Sequence, residues 1–109
     1  MSQIETERCY VYSGVVDLRK GADSLRALLG KTEPGVLYLF SNRTRTLLKF
    51  LSVDSTGVYC GTRRLHHCSF DWPESHLGKQ KLTTEELSCL LAGGSLKKLR
   101  LKKLLTKRN

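Results

Sequence analysis

The chain is poor in aromatic residues, 7% of its 109 positions, and holds two prolines, Pro34 and Pro73. No apolar run approaches the roughly 18 residues that a membrane span requires, so a membrane helix is not expected. The opening MSQIETER lacks the apolar core of a signal peptide, and the chain is read as cytoplasmic. The four cysteines, Cys9, Cys60, Cys68 and Cys89, show no paired spacing and are read as free thiols of a reducing compartment. Gly-rich phosphate loops and nucleophile elbows are missing, which removes the common signatures of nucleotide binding and of Ser/His/Asp hydrolysis.

Acid is the other scarcity. Ten Asp and Glu face nineteen Lys and Arg, for a net charge of +9 and a pI near 9.7. That balance points to polyanionic partners and says nothing about fold. The excess is uneven, because residues 96–109 carry seven bases and no acid while the first 95 are close to balanced. A single α+β domain over residues 1–94 is expected, followed by a flexible basic tail over 95–109 whose leucines scatter around a helical wheel.

The strongest pattern is the stretch from Gly35 to Pro73. Three runs rich in Val, Leu, Tyr and Phe are separated by a basic loop at Ser41, Asn42 and Arg43 and by a turn at Asp54-Ser55-Thr56-Gly57, as in an antiparallel meander. A three-residue loop with Gly57 in the left-handed region would pair Val53 with Tyr59, Leu51 with Gly61 and Lys49 with Arg63. Arg45, Lys49, Tyr59 and Arg63 would then share one sheet face. Residues 8–13 read as a first strand. The spacing of Leu18, Ala22, Leu25, Leu28 and Leu29 predicts a helix over 18–29, with Asp17 as N-cap and Gly30 as terminator. Thr83 and Glu86 form a capping box for a helix over 84–92, and residues 74–81 read as a polar connection. The expected architecture is an antiparallel sheet of four to five strands with two packed helices. Trp72 is read as a core or edge lid over the sheet in preference to a base-stacking platform.

Catalytic and metal chemistry find little support. Asp17, Asp54, Asp71 and Glu74 are the candidate carboxylates for a Mg²⁺-dependent nuclease, but the first two are explained as cap and turn residues. Cys60, His66, His67, Cys68 and His76 are the right ligand types for zinc without the short ligand pairs of a structural site. No catalytic residue, metal or cofactor is expected.

Tyr10-Val11-Tyr12, Val16-Asp17-Leu18-Arg19-Lys20-Gly21-Ala22-Asp23, Leu37-Tyr38-Leu39-Phe40, Arg63-Arg64-Leu65 and Phe70-Asp71-Trp72-Pro73 occur in an order that resembles the small accessory protein of the sixty-six family of bacterial insertion sequences. That protein is the product of the element's second reading frame, often labelled TnpB and unrelated to the RNA-guided nuclease of the same label. The resemblance runs from Tyr10 to Gly93. Thr46, Leu47, Val53, His66 and Cys68-Ser69 depart from the family pattern, which has arginine at positions 47 and 69. The resemblance implies a non-enzymatic partner in transposition that acts with a separate transposase. From the residues themselves, the nucleic-acid-binding candidates are Arg19, Lys20, Arg43, Arg45, Lys49, Tyr59, Arg63, Arg64, Lys97, Lys98 and Arg100. DNA and the transposase are the expected partners, and an acidic protein partner without DNA contact is the alternative.

Overall fold

The middle of the sheet is the run Val36–Ser41, VLYLFS, in which five of six residues are buried because both faces of the strand are covered. The computed structural model describes residues 8–19, 21–66, 69–73 and 78–106. In chain order these form β1 (Arg8–Val15), α1 (Ala22–Leu29), β2 (Val36–Ser41), β3 (Leu47–Val53), β4 (Val58–Arg64), β5 (Lys79–Leu82), α2 (Thr84–Leu91) and α3 (Leu96–Thr106). The strand order is β4-β3-β2-β1-β5.

The expected meander is present as β2, β3 and β4, each antiparallel to the next. The sheet as a whole is mixed, however, and this corrects the expectation of a purely antiparallel one. β1 runs parallel to β2, with Cys9 opposite Leu37 and Val11 opposite Leu39. A parallel pair needs a crossover long enough to return the chain to the same end, and α1 provides it. β5 then lies antiparallel on the far side of β1. Its KQKL sequence buries Leu82 alone, so it gives the polar signature of a short edge strand, which the sequence reading took for a connection.

Alternation along the strands builds two cores. On one face Val36, Tyr38, Phe40 and Leu51 meet Leu25 and Leu29 of α1 together with Val16 and Leu18. On the other, Cys9, Val11, Leu39, Leu48 and Leu82 meet Leu90 of α2, Leu96 of α3, Phe70 and Trp72. Trp72 is buried, and its indole N–H donates to the Tyr12 carbonyl at 2.8 Å, which pins the segment after β4 under the sheet.

The helix starts divide between local and distant control. Thr83 and Glu86 form the expected reciprocal capping box. The first helix is shorter than expected: it begins after Gly21, without a side-chain cap. Asp17 instead accepts from the Arg19 backbone N–H and guanidinium. Gly30, at φ 72°, ends α1 as expected.

The stretch from Leu96, expected as an unstructured tail, is an eleven-residue helix. Its first turn is held from outside. The Asp71 carboxylate accepts from the backbone N–H of Leu96 at 2.6 Å and of Lys97 at 3.3 Å, and Ser95 Oγ accepts from that of Lys98. Arg100 and Lys103 then reach the adjacent Glu86 and Glu85 of α2, at 2.6 and 2.9 Å. Charge pairing across the two helices fixes α3 where its leucine pattern gives no single apolar stripe.

Candidate nucleic-acid and partner interface

The β3–β4 turn decides which cations share a face. Asp54 Oδ1 accepts from the Thr56 N–H, the Thr56 hydroxyl and the Gly57 N–H, at 2.8 to 2.9 Å. Gly57 is not among the residues at positive φ, and the Asp54 N–H donates to the Gly57 carbonyl at 3.0 Å. The connection is one residue tighter than the three-residue loop expected. Val53 therefore faces Val58, Ser52 faces Tyr59, Lys49 faces Thr62 and Leu48 faces Arg63.

A slip of one residue moves every side chain of a strand to the opposite face. Lys49 and Arg63 consequently lie on opposite faces, and the expected single surface of Arg45, Lys49, Tyr59 and Arg63 is not formed. Tyr59 and Arg63 do share a face, that of Phe50. Lys49 emerges on the α1 face, opposite Phe40 on its other neighbour.

The other predicted residues that fall among the described ones have definite places. Arg45 sits at φ 60° in the β2–β3 turn, half-buried, with its guanidinium carbon 5.6 Å from the centre of the Trp72 ring. Such a cation–π contact makes it a structural residue before a docking one. Arg19 and Arg43 converge on a shallow hollow of about 550 Å³ floored by Val16, Leu18 and Leu47. Lys49 stands two positions along β3 from Leu47. Lys97 and Lys98 project from the first turn of α3 and are exposed. Arg100 is engaged by Glu86. Burial would raise the Glu86 carboxyl, but the Thr83 backbone N–H and the hydrogen bond and charge of Arg100 outweigh it and hold the group below the usual carboxylate range. Lys20, His67, Cys68, Glu74 and His76 lie outside the described residues.

Arg63 has a role that the sequence did not reveal. Its Nε–H donates to the carbonyl of Leu91, the last residue of α2, at 2.9 Å across 28 residues of chain. The last turn of α2 contains no base of its own, so Arg63 supplies the cation that a helix C-terminus favours. The one available signal was the absence of Lys or Arg before Gly93.

Between α2 and the β3–β4 edge lies a second hollow, a groove of about 590 Å³. Its lining is chiefly apolar, with Arg63 and Arg64 at the rim. By register Arg64 faces Leu47 and starts from the Lys49 side. On the outermost strand it is nevertheless open to both faces.

Of the carboxylates considered for chemistry, the three among the described residues serve structure: Asp17 holds Arg19, Asp54 closes the turn and Asp71 caps α3. Among the described residues, no three His, Cys, Asp or Glu side chains group as a metal site, and no helix is long and apolar enough to cross a membrane. Fold and surface together define a class: a small α+β protein with a mixed sheet, whose cations are distributed over two sheet faces and the helix α3.

Within that class the chain belongs to the IS66 Orf2-like family of insertion-sequence proteins, whose profile matches residues 7–101 and so extends into α3. An uncharacterized protein of Sinorhizobium fredii (strain NBRC 101917 / NGR234), y4hO, is 33% identical over 91 residues, covering 79% of each chain. No solved structure matches. Membership in this family implies an accessory role in transposition.

Proposed function

We propose that the protein acts in transposition as a non-enzymatic factor that contacts DNA through two cationic surfaces. One is the hollow of Arg19 and Arg43 with neighbouring Lys49, and the other is the exposed first turn of α3 with Lys97 and Lys98. The observation that carries this reading is the convergence of Arg19 and Arg43, far apart in sequence, on one hollow. Among the described residues, Arg43, Lys49, Lys97 and Lys98 form none of the ion pairs. Arg19 donates to Asp17 through Nε and Nη2 while its side chain stays 91% exposed.

Contacts of this kind neutralise phosphates and release counterions, so they give affinity without base selectivity. The test is duplex DNA affinity measured across a range of salt. The log–log slope should be clearly negative, and should become shallower by about 0.9 for each phosphate contact removed in R43A, K49A or K97A. A flat salt dependence, or no binding at low salt, would eliminate the phosphate-contact mechanism. The apolar groove beside β4 favours, in addition, a protein partner.

A further inference from the structure

We infer that the groove between α2 and the β3–β4 edge receives an amphipathic helix of a protein partner, with acidic residues of that helix meeting Arg63 and Arg64. This deepens the accessory role proposed above and rests on that reading for its biological setting, but its physical basis is separate.

A sheet face buries its apolar side chains under helices, and here the cover is incomplete. The helix α2 packs chiefly on β1 and β5 and reaches β4 through the Arg63 hydrogen bond to Leu91, with a groove left between them. Half-buried Leu37 and Phe50 line the opening above the already buried Leu39 and Leu48, while half-buried Leu87 and Leu91, one helical turn apart, form its wall. A helix laid parallel to the strands would complete the layer beside α2. Its leucine-type anchors at three- and four-residue spacing would occupy the groove.

Charge selects the partner's chemistry. Arg63 uses its Nε–H on Leu91, and no carboxylate of the described chain pairs with the guanidinium of either Arg63 or Arg64. The acids of α2 itself, Glu85 and Glu86, are committed to α3. Two arginines on an apolar rim suit carboxylates, which a guanidinium fork binds bidentately. A nucleic-acid backbone would satisfy the cations but offers nothing to cover the leucines, so a protein segment fits the whole site better than DNA does.

The probe is a synthetic helix of about four turns with leucines along one face and glutamates flanking them, titrated into the full-length protein by fluorescence anisotropy, with amide shift mapping by NMR. A matched peptide carries lysines in place of the glutamates. The expected result is saturable binding of the acidic peptide alone, with shifts centred on β3, β4 and α2. R64E should weaken it by about tenfold or more, while the charge-matched K31E, on an exposed loop beyond α1, should leave it unchanged. Both substitutions lie at exposed positions, and thermal melts of each variant check the fold.

Equal binding of both peptides, shifts on α3 instead, or no binding would overturn the inference. So would self-association of the protein through the groove that persists in R64E, since the occupant would then be a second copy. The DNA salt titration is read separately. A chain that binds duplex DNA with the expected slope but ignores the peptide refutes the groove and leaves the DNA reading intact, and the reverse outcome does the opposite.

Discussion

The ring of Phe50 lies across Gly61, its partner on the neighbouring strand, in the space where any other residue would carry its β-carbon. This cross-strand fit has no need of unusual backbone angles, since Gly61 is not at positive φ. It depends on the absent side chain, which lets an aromatic ring shield an otherwise bare edge strand. The same ring is part of the groove floor.

Substitution of Gly61 by alanine should therefore displace the Phe50 ring, at a cost of about 1–3 kcal/mol typical of overpacking. Chemical denaturation of G61A, F50L and the double variant provides the check. The double variant should be less destabilised than the two singles combined, because the smaller side chain relieves the clash.

Removal of the Asp71 carboxylate should loosen α3 specifically. D71A leaves the backbone N–H groups of Leu96 and Lys97 without their acceptor, a capping loss of about 0.5–2 kcal/mol. Circular dichroism should show reduced helicity, and amide exchange should accelerate in residues 96–100 before it does in β2.

Acid should weaken the fold through Glu86 and Asp54. Both carboxyls are held below their ordinary values. For Glu86, the Thr83 N–H and Arg100 outweigh burial. For Asp54, the cause is donation from the Thr56 N–H and hydroxyl and then from the Gly57 N–H. A depressed folded-state pKa contributes stability above the unfolded value, about 4, and that stability is lost as pH falls through the folded value. The melting temperature should accordingly drop below about pH 4, and the gap between wild type and E86Q should be widest at neutral pH and narrow in acid.

Thiol reactivity should separate the cysteines. Burial pushes the Cys9 thiol up to about 12, whereas Cys60 lies exposed on β4. Alkylation followed by peptide mapping should find Cys60 modified in the native protein and Cys9 only after denaturant is added, since the thiolate is the reacting species. Early modification of Cys9 would show that β1 opens locally.

Much of the local structure was legible because its causes lie within a few residues. Thr83 and Glu86 satisfy each other's backbone, Gly30 permits the turn out of α1, and the apolar run of β2 needs cover on both faces. Trp72, read as a core or edge lid over the sheet, is buried and hydrogen-bonded to the Tyr12 carbonyl. The cationic candidates were harder. β4 is exposed along most of its length, so its pattern does not distinguish one register from the next, and an error of one residue was enough to separate Lys49 from Arg63.

By itself, then, the sequence determined the meander, the capping box, the C-terminal end of α1, the extent of α2 to within a residue, and a cationic excess concentrated after Gly94. The tertiary structure alone decided that β1 runs parallel to β2, that the polar KQKL segment joins the sheet, that α3 is held by Asp71, Glu85 and Glu86, and that Arg63 closes α2. Those outcomes depend on groups brought together from distant parts of the chain, and side-chain periodicity records only what a segment does with its own neighbours.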